Sequence, residues 1–393
     1  MSTRSVSPDS LVSVAAHSSG EVLEAWRWMR AHDPVHWHPG GEFSGFWSVT
    51  RHADVRAVYQ DAAIFTSAAG VLLRPADRGG DPGGGMTLAL TDPPRHRDLR
   101  AVVAEWFGAR SVRALVGLMR ETTRALLRRA VDRGECEFVR DVAAPLSHAM
   151  ICRLMGVPDA DRESVFEWSS EAFHRGTSLT THHELARYFV DLMERKVAEP
   201  ADDIVTALVT GAPAGALLSA EEVLFNCENL LGATENGRLG LAGAVQALVE
   251  HPGQWRLLRA RRDLIPGTVE ETLRWTSSAV HSVRTAATAV ELRGRRIAAG
   301  DKVALWLPSA NRDEEVFAEP DRFDVSRTPN RHLAFAAGEH FCIGNVLARA
   351  ETTVLLEELV VLAARLEPAG PVVPVRSIAV RGPERLPVRL VPA

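Results

Sequence analysis

Between Ser219 and His251-Pro252 the chain carries one long helical pattern, and no other feature limits its fold as strongly. Ser219-Ala220-Glu221-Glu222 has the spacing of a capping box, in which the serine hydroxyl and the Glu222 side chain satisfy each other's orphan backbone N–H groups. The pattern runs to about Glu250, where His251-Pro252 stops it. A helix of about 32 residues is roughly 48 Å long at 1.5 Å per residue, enough to span a domain and form its axis. Further helical patterns cover 93–107, 111–133, 161–174, 183–198, 266–275 and 343–364. Strand patterns are fewer. Residues 45–50 form one; 290–292 and 296–298 flank Arg293-Gly294-Arg295 like a hairpin, which 302–307 continues; short strands suit the tail over 378–391. The expectation is a mainly α fold with a minor β-sheet region drawn from both ends of the chain.

Composition narrows the function. The chain has 393 residues, 46% hydrophobic and 24% charged, with a net charge of −5. A phosphate backbone wants a basic excess, so nucleic acid is not the expected partner. Cys136, Cys152, Cys227 and Cys342 are widely spaced without a CxxC pair, against a disulfide scaffold or structural zinc site and in keeping with a reducing cytosol. The N-terminus lacks the apolar core of a secretory signal, and no window approaches the ~20 apolar residues of a membrane helix. The chain reads as one cytoplasmic domain over 1–393, flexible over about the first 20 residues, with no membrane partner. Glycine-rich 77–85 is expected as a mobile loop, and 211–215 as a break between helices.

The most informative segment is Phe335-Ala336-Ala337-Gly338-Glu339-His340-Phe341-Cys342-Ile343-Gly344. A single cysteine sits in a glycine-flanked loop just before a strong helical pattern. Amides near a helix N-terminus favour a thiolate, and free loop N–H groups can tune its electron donation. These properties suit a ligand to haem iron, with the glycines letting a flat macrocycle lie against backbone. The residues alone also allow a buried, inert cysteine beside a helix cap. A zinc site on His340 and Cys342 lacks a second pair of ligands.

The segment resembles the haem-binding loop of cytochrome P450s, Phe-Gly-x-Gly-x-His-x-Cys-x-Gly, and departs from it only at Ala336, where glycine is usual. The resemblance implies that Cys342 is the proximal thiolate and metal ligand, that His340 binds a haem propionate, and that Phe335 packs on the sulfur side of the ring. Gly344 closes the motif. Glu271-Thr272-Leu273-Arg274 resembles the family's structural Glu-x-x-Arg helix, whose i, i+3 spacing lets the two side chains pair. Thr91 to Arg100 resembles the start of the C helix; His96 and Arg100 share a face, and with Arg284 they match the propionate-binding cations. The likeness begins near Asp33 and runs to the helix after Gly344. It is that of the soluble bacterial class, with haem b as cofactor, electrons from NAD(P)H through ferredoxin reductase and ferredoxin, a small-molecule substrate and a monomeric state.

One stretch departs from the family. Gly232-Ala233-Thr234-Glu235-Asn236-Gly237 stands where relatives show Ala-Gly-x-Asp/Glu-Thr-Thr, so Glu235 aligns with the acid and Asn236 with the first threonine. An asparagine amide donates and accepts hydrogen bonds but does not relay a proton as a hydroxyl does. Glu235 with ordered water is then the expected proton route. Ala233 and its glycine neighbours leave room for oxygen. Family topology places Leu230, Thr234, Val280 and Val283 in the substrate pocket, with the segments 68–90 and 168–177. Arg95, Arg97, Arg110 and Arg349 are candidates to dock an acidic ferredoxin. The implied reaction is monooxygenation of a small or medium apolar secondary-metabolite intermediate. The alternatives are oxidative cyclisation or coupling without net oxygen insertion, and a non-catalytic haem-binding accessory role.

Overall fold

The capping box forms: the Glu222 N–H donates to Ser219 Oγ (3.1 Å) and the Ser219 N–H to Glu222 Oε2 (2.8 Å). The helix it starts covers Ala220–Gly232, and a second, Thr234–Glu250, follows at once. The single helix expected from the pattern is thus broken at Ala233. The cause is local. The Thr234 hydroxyl donates to the Leu231 carbonyl (2.7 Å), and the Asn236 N–H reaches the Ala233 carbonyl (3.2 Å), tightening one turn.

The computed structural model describes residues 7–78, 81–171 and 179–393. The chain divides into two compact units. One comprises Met1–Gly84, Ala242–Cys342 and Gly370–Leu386. It holds a five-stranded sheet in the order Val35–His38, Phe46–Val49, Lys302–Trp306, His281–Ala286, Phe65–Thr66. Phe46–Val49 and Lys302–Trp306 run parallel, with Phe46 opposite Lys302 and Val49 opposite Leu305. Side chains alternate across this strand with period two. Val303 and Leu305 therefore join one core cluster, with Val55, Tyr59 and Phe65, while Ala304 and Trp306 join another, with Leu11, Trp26 and Phe46.

Several expectations are corrected here. The hairpin Val290–Leu292 with Arg295–Ile297 pairs by itself, and the strand after it joins the larger sheet instead of extending it. The tail does not enter that sheet either. Pro387–Pro392 pairs with Ala363–Pro368 and Glu135–Glu137, and Pro383–Arg385 with Val373–Pro374. Within the first twenty residues, Pro8–Val12 is a 3-10 turn and Val14–Ser19 a helix, capped by Ser7 and Ser13. Leu11 is fully buried beside Trp26, and this anchors a stretch expected to be flexible.

The other unit comprises Gly85–Leu241, Ile343–Ala369 and Pro387–Ala393. It is mostly helical, with Arg95–Val103, Ala109–Arg133, Ala144–Met155, Leu179–Ala198 and Asn345–Leu362 among its elements. The last stops where Ala363–Pro368 turns extended, so the pattern read over 343–364 ends as a strand. Of the pattern over 161–174, Arg162–Ser170 is helical and 172–174 lie outside the described residues. Residues 79 and 80 of the glycine-rich loop also lie outside them. Among the described residues no helix is long and apolar enough to cross a membrane.

Candidate functional site

Cys342 lies between the 3-10 turn Gly338–His340 and the helix Asn345–Leu362, for which Gly344 is the N-cap residue. Three backbone hydrogen bonds shape the loop: Ala336 N–H to Leu333 O (2.9 Å), Phe341 N–H to Gly338 O (3.1 Å) and Cys342 N–H to Phe335 O (3.0 Å). The last brings the two ends of the motif together. Two residues hold left-handed backbone, Ala336 at φ 60° and Gly338 at φ 71°. A Cβ at Gly338 would sit 2.3 Å from the Tyr59 carbonyl oxygen, so only glycine fits there.

Of the four cysteines, Cys342 alone is not buried. Burial pushes the Cys136 and Cys152 thiols up to about 12, and raises Cys227 as well. Those three are inert, and Cys342 is the sulfur available to a ligand. Phe335, Ala336 and Ala337 beside it are only partly buried. An accessible thiol next to half-covered apolar side chains fits a flat, apolar metal macrocycle.

Two further predicted residues lie in the same unit. His340 Nε2 is 3.2 Å from Ser67 Oγ. Arg284 is buried on the strand His281–Ala286. Its Nη1 donates to the Val283 carbonyl (2.8 Å), and its guanidinium lies 5.3 Å over the Tyr59 ring. Tyr59 in turn exchanges a 2.6 Å hydrogen bond with Ser282. Sequence reasoning missed Ser67 and Tyr59, which no local pattern marks.

The Glu271–Arg274 pair forms within the helix Ile265–Thr276, with Arg274 Nε 2.7 Å from Glu271 Oε2 and both side chains 0% exposed. Arg274 also donates to the carbonyls of Asn311, Pro320 and Arg322. Glu271 accepts from the Asp324 N–H, Arg327 and Asn330. A buried ion pair this well satisfied acts as a structural lock on residues 311–330.

In the other unit, His96 and Arg100 lie one turn apart on Arg95–Val103; His96 is buried and Arg100 half-buried. Arg95 pairs with Glu222 (2.7 Å). Burial pushes the Glu222 carboxyl up, but Arg95 and the Ser219 N–H outweigh it and hold the group below its ordinary value. At the helix break Ala233 is exposed, Thr234 half-buried and Leu230 buried. Glu235 is held bidentately by Arg238, with Nη2 2.7 Å and Nε 3.0 Å from Oε2 and Nε 3.1 Å from Oε1. The buried Asn236 Oδ1 has no hydrogen-bond partner among the described residues.

Sequence reasoning passed over three more groups here. Arg238 was legible from its i, i+3 spacing to Glu235. Glu351 is buried without charge compensation, which pushes its carboxyl up to about 8. It approaches Gly237, where an added Cβ would lie 3.9 Å from its Oε2 and 2.4 Å from Ser147 Oγ. Asn226 clamps the segment 86–88, its Nδ2 donating to Met86 O and its Oδ1 accepting the Leu88 N–H, each at 2.9 Å.

Val280 and Val283, expected to line the pocket, are 0% and 1% exposed in the core cluster of Leu11, Trp26 and Trp306. Val283 stands opposite Ala304 in the sheet, and both belong to this cluster. Most of 168–177 lies outside the described residues.

Comparison with known proteins bears on the thiol loop. A family model described as cytochrome P450 matches residues 257–362. Cytochrome P450 NovI of Streptomyces niveus is 38% identical over 99% of this chain and 100% of that protein. The chain belongs to the cytochrome P450 family. A steroid C26-monooxygenase of Mycolicibacterium smegmatis is 34% identical over 98% of this P450 and 96% of its own length. The crystal structure of P450 OxyD, involved in the biosynthesis of vancomycin-type antibiotics, is 33% identical, with a TM-score of 0.90 over 97% of this P450 and 99% of that chain. The protein is therefore a P450 monooxygenase with the mainly α fold expected of it. Membership implies a haem prosthetic group, and the accessible Cys342 thiol in its apolar loop fits one.

Proposed function

We propose that this P450, loaded with haem b, inserts one oxygen atom from O2 into a small or medium apolar intermediate of secondary metabolism. The observation that carries the reading is the one accessible thiol, held in a loop whose ends are tied by the Cys342 to Phe335 hydrogen bond. Cys342 would hold the haem iron as thiolate, with Phe335 packed beside its sulfur. His340, Arg284, His96 and Arg100 would bind the haem propionates, because unpaired carboxylates are costly in an apolar site. Bound haem supplies dioxygen activation, which a thiolate ligand favours.

The chain's own residues set the rest. Ala233 and Gly344 leave space, and Leu230 and Thr234 face substrate. Glu235 is oriented by Arg238, and it passes protons through water. Asn236 holds that water or a substrate hydroxyl by its amide without itself relaying a proton. Electrons arrive from NAD(P)H through ferredoxin reductase and ferredoxin. Exposed Arg97 and Arg110 are suited to docking an acidic carrier. The enzyme acts as a cytoplasmic monomer with one P450 domain, and for the domain the support is relatives that align along nearly its full length.

A second reading has a specific observation in its favour. The unpartnered Asn236 Oδ1 suits a substrate hydroxyl, as in oxidative coupling without net oxygen insertion. Two experiments test these readings. Reduced, haem-loaded protein under carbon monoxide is expected to absorb near ~450 nm, and Cys342→Ser to lose that band; an unaltered spectrum in the variant overturns the assignment. Soret-shift screening of candidate metabolites, then product analysis for incorporated 18O, separates insertion from coupling.

A further inference from the structure

Within the unit that contains Cys342, a cavity of about 490 Å³ is lined by residues of the N-terminal helices, Gly243–Glu250, the end of the Glu271–Arg274 helix and the hairpin around Val380. It shares no residue with the haem-binding set. On its wall, Ser18 Oγ, Thr276 Oγ1, Arg312 Nη1 and Arg381 Nη1 are buried polar atoms without a hydrogen-bond partner among the described residues. All four can donate.

The two guanidinium groups carry the charge argument. Arg312 is 3% exposed. It donates through Nη2 to the Trp275 carbonyl (3.1 Å) and lies 4.8 Å over the Trp275 ring, but its nearest acid, Asp321, is 3.7 Å away. Burial, then repulsion from Arg381 and Arg274, pushes its pKa well down. Arg381 is likewise lowered by burial, with only Glu250 acting against it. Guanidinium groups stay protonated, so these shifts mark buried charge short of compensation. The wall's acids are already engaged. Glu24 and Asp321 both pair with Arg27, and Glu250 accepts from Gln246.

We infer that this cavity binds a small oxyanion of the phosphate class between Arg312 and Arg381, with the Ser18 and Thr276 hydroxyls as further donors. Phosphate carries between one and two negative charges at neutral pH and several acceptor oxygens, so it supplies both the missing charge and the missing hydrogen bonds. Bound there, it ties the N-terminal helices to the end of the Glu271–Arg274 helix.

The test is a melting series on the haem-loaded enzyme, with inorganic phosphate replacing chloride at constant ionic strength. Because the site exists in the folded state only, Tm is expected to rise with phosphate and to saturate. Arg381→Gln is expected to abolish the rise. The isosteric Thr276→Val, combined with Ser18→Ala, is expected to weaken apparent phosphate affinity about tenfold or more. Equal melting in phosphate and chloride overturns the proposal. So does a parental phosphate response in Arg381→Gln or, should that variant not fold, in the double variant.

Discussion

Ala336 stands where its family uses glycine, and the structure gives the physical reason for the usual choice: the residue sits at φ 60°, where a side chain is strained. Glycine relieves that strain at some cost in unfolded-state entropy. Ala336→Gly is accordingly expected to stabilise the haem-loaded protein by up to about 1 kcal/mol, read as a higher Tm. Glu351 makes the opposite kind of residue-scale statement. Burial raises its carboxyl to about 8, so the folded state holds a proton that the unfolded state releases near its ordinary value. Its contribution is complete at acid pH and is lost as pH rises toward 8. Glu351→Gln should therefore melt progressively higher than the parent between about pH 5 and 8, by a few kcal/mol at most. Parallel Tm profiles for the two proteins would contradict this. Nothing local announces Glu351, since a glutamate in a helical pattern reads as solvent-facing until its neighbours are known.

Elements show how far periodicity carries. The capping box at Ser219 and the stop at His251-Pro252 were both legible, because each is a backbone event decided within four residues. The break at Ala233 was not. It rests on the Thr234 hydroxyl taking the Leu231 carbonyl, an option that competes with the helix and wins only in context. This break presents Asn236, and Asn236→Ala is expected to divert more electrons to hydrogen peroxide during turnover. Unchanged coupling with the native substrate would remove Asn236 from proton delivery. In the preceding helix, Asn226 replaces a missing strand partner for the segment 86–88. Losing a buried amide of this kind costs about 1–3 kcal/mol. Asn226→Ala should speed hydrogen exchange at the Leu88 amide by about tenfold or more, with little change in the Glu271–Arg274 helix.

Across the whole molecule, several histidines are kept neutral by burial, and they bear on stability in acid. His38, His148 and His281 are each lowered to about 4, first of all by desolvation. His281 shows why a proton is unwelcome: Nδ1 donates to Ile378 O (3.0 Å), and Nε2 accepts the Leu73 N–H (3.1 Å). Folded values below the ordinary 6.5 mean that the unfolded chain binds more protons, so stability present above pH 6.5 is lost as pH falls toward 4. Tm should decline steadily across that window, and a flat profile would count against it. The two scales of determination separate here. Sequence by itself marked the family, the loop around Cys342, the Glu271–Arg274 pair and several helices to within a few residues, because these are spacings within a few turns of chain; the helices Val22–His32, His52–Gln60 and Ala144–Met155 went unmarked. Tertiary structure alone decided that 46–49 pairs in parallel with 302–306, that Val280 and Val283 join the core cluster of Leu11, Trp26 and Trp306, and that Glu351 is buried. Those outcomes depend on which distant segments come together, and burial belongs to the assembled neighbours and not to the residue that is covered.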